Sequence, residues 1–414
     1  MLIYLTNLFK MKIKLILFVL MITSGLFAQR NPETIETKKL GTRTFTVVTP
    51  PSYATSPEKS YPTLLVLDGE YLLDPFEGIL KYGAYWDDLP EMIIIAVNQN
   101  NGETRFADSE FDEAGFPSGT GANFFEFIGQ ELYPYVDKTY RTIPFRMIAG
   151  HDTTAGFLNF YLYKDNPIFN AYISLAPEMA PEMEKRVAER LSKMTKPLFY
   201  YQATGEGDLK EINEKAAELD ANIKAIPNAT FKYQNDAFKG ASHYSLVAKA
   251  IPNAIYFIFD GYQPISMVEF QDKILKLDAG YTDYLVAKYD ELEKRFGFKM
   301  KPRLSDFKAI EAAIMKNKGY NDLLTLSDYA NKHYPKTTLG TYHEALYYEK
   351  TGNYKRAIKT YQRAFTQEPI REITKDFMLN RAEALKGKPD KPTEEAPAEV
   401  PADTPTEEPT EKKE

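Results

Sequence analysis

Between residues 40 and 260 the hydrophobic positions switch repeatedly between two periods. "RTFTVVTP" (43–50) alternates with period two, which predicts a half-exposed antiparallel strand. "YPTLLVLDG" (61–69) and "EMIIIAVNQ" (91–99) are unbroken apolar runs, the mark of strands buried on both faces. "FFEFIGQELYPYVDKTY" (124–140) puts Phe124, Phe127, Ile128, Leu132 and Val136 on one helical face. A strand "FRMIAG" (145–150), a sharp turn and a helix from Thr154 follow. "AYISLAP" (171–177) and "PLFYYQATG" (197–205) are further buried strands, and a shorter one is expected at 229–233. Buried strands alternating with helices predict an α/β fold, a mostly parallel sheet with helices on both faces.

From Ser266 the pattern becomes helical. Tyr320, Leu324, Ala330 and Pro335 recur as Tyr354, Ile358, Ala364 and Pro369, each pair 34 residues apart. That is the tetratricopeptide period, so an all-α tetratricopeptide-like domain is expected, with a concave face suited to a protein partner.

The two ends read differently. "MKIKLILFVLMITSGLFAQ" from Met11 has a short basic stretch, an apolar run and small residues before Ala28, the anatomy of a secretory signal peptide. Met11 is then a second candidate start. The apolar run is short for a membrane span, so no transmembrane segment is expected after cleavage. Residues 388–414 hold nine acidic residues, four lysines and six prolines with little to bury, and read as a disordered tail. The expected layout is a signal peptide (1–28), an α/β domain (29–262), a helical domain (263–387) and the acidic tail (388–414), in a periplasmic or extracellular protein.

Composition narrows the chemistry. The chain has 51 basic and 58 acidic residues, a net charge of −7, and no basic stripe, which argues against a nucleic-acid partner. It has no cysteine, which excludes disulfides, thiolate metal sites, cysteine nucleophiles and lipid attachment at an N-terminal cysteine. No histidine pair has metal-ligand spacing and no phosphate-binding glycine loop is present, so no cofactor is expected. Tyr71, Tyr82, Tyr85 and Trp86 are candidates to line a cleft.

The turn in "MIAGHDTTAGFLNF" (147–160) carries the central question. With "YPTLLVLDG", "GQELYPYVDKTYRT", "NAYISLAP" and "SHYSLVAKAIPNAIYFIF", it resembles the putative-esterase family of α/β-hydrolases, which includes esterase D-like enzymes and siderophore esterases. The resemblance covers about residues 40–260. It implies the α/β-hydrolase fold and a Gly-His-Ser-x-Gly-Gly elbow with the serine exposed above the sheet. Here the segment is Gly150, His151, Asp152, Thr153, Thr154, Ala155. Asp152 replaces the serine, and both following glycines are lost, so Thr154 and Ala155 are expected to crowd the turn.

Carried over residue by residue, the resemblance implies His243 as the base and Asp208 as its acid partner, with Glu206 the second choice. It implies an oxyanion hole from the backbone of Glu70 or Tyr71 and of Thr153. A carboxylate at Asp152 would sit beside His243 and favour the imidazolium. Two readings follow. One is a non-catalytic binding or scaffolding protein of the cell envelope, with a small molecule or peptide in the old cleft. The other is a hydrolase acting on carboxylic esters or, through an Asp152 nucleophile with His243, on another small substrate. Related aspartate-nucleophile enzymes carry a cap domain, for which the roughly 20 residues between Pro177 and Pro197 leave little room.

Overall fold

The computed structural model describes residues 29–99, 102–227 and 230–391. The expected signal peptide and nearly all of the acidic tail lie outside them. Two compact units are present, one of residues up to 264 together with 288–300, the other of 265–287 and 301 onward.

The first unit is built on eight strands: β1 (Gln29–Glu36), β2 (Thr42–Thr49), β3 (Tyr61–Val66), β4 (Ile93–Val97), β5 (Thr142–His151), β6 (Ala171–Leu175), β7 (Phe199–Gly207) and β8 (Lys232–Ser242). They lie in the order β1-β2-β4-β3-β5-β6-β7-β8. β1 and β2 pair antiparallel, as do β2 and β4, and the remaining pairs are parallel. The apolar runs became β3, β4, β6 and β7, fully buried over nearly their whole length. Two edge strands differ from the sequence reading. β1 is "QRNPETIE", with one strongly apolar residue, and was not expected. β8 starts at Lys232 and runs to Ser242, past the expected 229–233. Edge strands bury little, so hydrophobicity does not mark them.

The helices of this unit are α1 (Gly69–Tyr85), α2 (Gly102–Asp108), α3 (Gly119–Phe127), α4 (Tyr133–Thr139), α5 (Thr153–Phe157), α6 (Met183–Ser192), α7 (Lys210–Lys224) and α8 (Ser245–Ile258). Alternate residues of each strand serve opposite sides of the sheet. Leu65, Ile95, Ile148, Tyr172 and Tyr200 join one core with Phe124, Phe127, Leu132 and Leu158. Phe145 and Phe199 pack instead with Phe259 and Phe296. Phe296 explains why residues 288–300 belong here, although the sequence reading assigned them to the helical domain.

The second unit contains α9 (Met267–Asp272), the start of α10 (Tyr281–Phe296), α11 (Leu304–Asn317), α12 (Asp322–His333), α13 (Thr338–Lys350), α14 (Tyr354–Gln362) and α15 (Lys375–Leu385). The 34-residue echo extends into the backbone. α11 and α13 begin at Leu304 and Thr338, and each is followed by a left-handed residue, Lys318 (φ 60°) and Gly352 (φ 85°), again 34 apart. Ala330 and Ala364 are both fully buried. Each helix packs on the next from α12 to α15. No helix among the described residues is long and apolar enough to cross a membrane.

Candidate functional site

The chemistry-bearing residues gather beyond the C-terminal ends of the parallel strands, where open α/β sheets place their ligand crevices. Asp68 follows β3, Asp152 follows β5, Asp208 follows β7, and His243 follows β8.

The turn after β5 is sharp. Asp152 has φ 61° and ψ −122°, a conformation that costs a non-glycine residue about 1–3 kcal/mol. Its N–H donates to Leu175 O on the neighbouring strand, and its carbonyl accepts from Gly156 and Glu178 N–H. Those bonds hold the strained backbone in place. Thr154 does not crowd the turn as expected. It is fully buried, its Oγ1 accepts from His151 N–H (3.0 Å) and lies 2.6 Å from Asp68 Oδ2 as donor. The glycine requirement is met elsewhere. A Cβ on Gly150 would meet the Thr154 carbonyl carbon at 2.8 Å, and one on Gly156 would lie 1.8 Å from Glu178 O.

His243 and Asp208 are brought together by an irregularity in the β7–β8 pairing between Gly205 and Gly207, which puts Gly207 opposite Ser242. A Cβ on Gly205 would meet Ala241 O at 2.8 Å, so the close approach needs glycine. His243 Nδ1 lies 2.8 Å from Asp208 Oδ1, and the Asp208 side chain is wholly buried. His243 Nε2 faces Asp152 Oδ1 at 3.9 Å, longer than a hydrogen bond. Glu206, the second choice for the acid, instead accepts from Gly240 N–H.

Two residues that sequence reasoning missed complete the site. Arg105, on the short α2, donates from Nε to Asp68 Oδ1 (2.6 Å), from one terminal nitrogen to Asp152 Oδ2 (3.3 Å), and from the other to His151 O (2.7 Å). Burial works against its charge, but the hydrogen bonds and charge of Asp68 outweigh that and raise its pKa. Asp68 is the second. It is buried at the left-handed residue before α1 and collects Arg105, Thr154 and the Tyr71 hydroxyl (3.0 Å). Asp68 stood in the quoted "LVLDG", but nothing in the spacing tied it to a lone arginine 37 residues on.

His151 is 1% exposed, and burial, with the charge of His243, holds its pKa down at about 4. It is therefore neutral near pH 7. Nε2 lies 3.0 Å from the His243 carbonyl, which can only accept, so the proton is on Nε2 and Nδ1 faces the Tyr71 hydroxyl. Tyr71 thus contributes its side chain. Its N–H donates to Asp68 O at 3.2 Å. Glu70 is at the first turn of α1. Thr153 opens α5, where helices leave N–H groups without internal partners, and its hydroxyl donates to Glu178 (2.8 Å). Tyr82, Tyr85 and Trp86 are exposed at the far end of α1, roughly 16 Å or more along the helix from Tyr71, and do not reach this site. Among the described residues no cluster of side chains could hold a metal ion.

The comparisons agree with this architecture. A structure of an uncharacterised protein from Capnocytophaga ochracea matches with a TM-score of 0.77 at 29% identity, over 86% of this chain and 99% of that one. A structure of an IroE-like serine hydrolase from Shewanella oneidensis matches with a TM-score of 0.53 at 21% identity, over 70% of this chain and 95% of that one. The latter shows the fold alone. No curated protein matches the sequence. The family model described as "Putative esterase" matches residues 38–249, just over half of the chain. The chain belongs to the putative-esterase family of α/β-hydrolases.

Proposed function

We propose that this chain is a non-hydrolytic member of its family, exported to the periplasm or beyond, that binds a small molecule or peptide over Asp152 and a protein partner through its helical repeats. One observation carries the reading. At the apex of the elbow, where the family resemblance calls for a serine hydroxyl, stands a carboxylate held by Arg105 at 3.3 Å and faced by His243 at 3.9 Å.

A carboxylate there cannot take over the serine's reaction. Attack on an ester carbonyl would give a tetrahedral adduct carrying both the Asp152 carboxylate and the substrate alkoxide. The carboxylate is much the weaker base, so it leaves first and the ester is re-formed. The Arg105 pair further withdraws charge from Asp152 Oδ2. What remains is a group of charged and polar side chains at the strand ends, suited to binding. For the second unit, the 34-residue recurrence of helix starts and left-handed caps supports a repeat stack of the partner-binding kind. The test is a binding screen against envelope extracts, with the full chain and an Asp152→Ala, Arg105→Ala variant. Ligands or partners retained by the chain support the reading, and steady turnover of any ester overturns it.

The order Asp152, His243, Asp208, with a gap of 3.9 Å at the first step and 2.8 Å at the second, favours one alternative, displacement at a saturated carbon by Asp152 followed by hydrolysis of the enzyme ester by water activated at His243. That route leaves a trace. A single turnover in ¹⁸O-water would place the label in the Asp152 carboxylate.

A further inference from the structure

A cavity lies apart from the Asp152 site and shares none of its residues. Its volume is about 540 Å³, within the range of small-molecule pockets. It opens between α3, the segment after it and the 3₁₀ turn Leu158–Tyr163.

Its walls are aromatic. Phe125 stacks on Tyr161 (4.3 Å between ring centres, 21°), while Phe116 and Phe160 meet Tyr163 edge-on at 5.8 and 5.5 Å. One cation lines it, Lys164, and a second, Arg186, sits over the lining residue Phe116. Lys164 Nζ is 5.3 Å from the Phe125 ring centre, and the Arg186 guanidinium is 4.5 Å from that of Phe116. Arg186 donates to the carbonyls of Ala114 and Gly115, and the charge of Lys164 acts on Glu126. The acid in the wall, Glu126, is already paired with Lys39 at 2.7 Å. The lining therefore offers one cation, Lys164, at an aromatic surface, and its one acid is held by Lys39 outside the lining.

The backbone favours the opening. After α3 the helix widens into a π-helical turn, Ile128–Leu132, a feature often found at functional sites. Gly129 lies in that turn and in the cavity wall. Its φ is not left-handed, and an added Cβ would meet only Ile168 Cδ1, at an ordinary 3.8 Å. Neither conformation nor packing demands glycine there, and glycine weakens a helix interior. A larger side chain at this position would project into the cavity.

We infer that this cavity is a second binding site, for a flat aromatic molecule bearing a carboxylate. The ring lies against Phe125, Tyr161 and Phe116, and the carboxylate meets Lys164. The probe is 1-naphthoate, titrated calorimetrically into the full chain, with 1-naphthylmethylammonium as the cationic match. Naphthoate should bind at one saturable site, at least tenfold more tightly than the ammonium compound. Gly129→Leu should weaken it at least tenfold while leaving the unfolding temperature equal or higher. Lys164→Gln should weaken it several-fold, and Asp152→Ala should leave it unchanged. Unaltered binding in Gly129→Leu, equal affinity for the two probes, or loss of binding in Asp152→Ala would each overturn the assignment.

Discussion

The His243 imidazole is shared unequally between two carboxylates, with Asp208 at 2.8 Å from Nδ1 and Asp152 at 3.9 Å from Nε2. The shorter contact orients the ring, and the longer one leaves room between His243 and Asp152. The proton between His243 and Asp208 should be observable. A downfield, slowly exchanging imidazole N–H resonance is expected in the folded chain, lost in Asp208→Ala and retained in Glu206→Gln. Its loss in Glu206→Gln would mean that the loop after β7 is arranged differently.

Arg105 neutralises the buried Asp68 and reaches Asp152. Arg105→Leu should cost about 3–5 kcal/mol, since it leaves a buried carboxylate without its counter-charge. Lysine should rescue only part of that, because one ammonium cannot replace a planar fork that spans Asp68, Asp152 and His151 O. Denaturant unfolding of the two variants checks this.

His151 makes stability depend on pH in a defined window. Its folded pKa is about 4, below the ordinary 6.5. Between those values the unfolded chain takes up a proton at this site that the folded chain refuses. Stability contributed by the neutral imidazole is full above pH 6.5 and is lost as pH falls toward 4, by at most roughly 3 kcal/mol. Stability measured from pH 7 to 4 should show a shallower slope in His151→Gln.

Gly156 should tolerate no side chain. A Cβ would lie 1.8 Å from Glu178 O, so Gly156→Ala must move the loop that hydrogen-bonds to Asp152 and Thr153. A loss of about 1–3 kcal/mol or more is expected. Lys318→Gly should do the opposite in the second unit. It relieves a left-handed lysine at the position that corresponds to Gly352, and should stabilise the helical unit by ~1 kcal/mol. Hydrogen exchange in α11 and α12 reads the change.

These residues also show what the sequence made legible. The buried strands were readable because Leu64–Val66 and Ile93–Val97 are continuous apolar runs. Asp152, Asp208 and His243 were carried over from the family resemblance, and in the fold each comes directly after a strand, with His243 and Asp208 2.8 Å apart. The Arg105–Asp68 pair was not, because it depends on where a short helix after β4 comes to rest against the end of β3. The role of Gly156 was also hidden. Its need for glycine comes from Glu178, 22 residues later, not from the local turn pattern. The π-helical turn interrupts what read as one continuous helix from 124 to 140, since the apolar face carries on across it.

The central claim is that Asp152 at the elbow ends ester hydrolysis while the surrounding architecture persists. It is tested most directly by measuring hydrolysis of short acyl esters by the purified chain beside its His243→Ala variant. The account predicts no turnover above buffer in either protein, and no covalent labelling of either by a fluorophosphonate. Turnover by the unaltered chain that disappears in His243→Ala would contradict it.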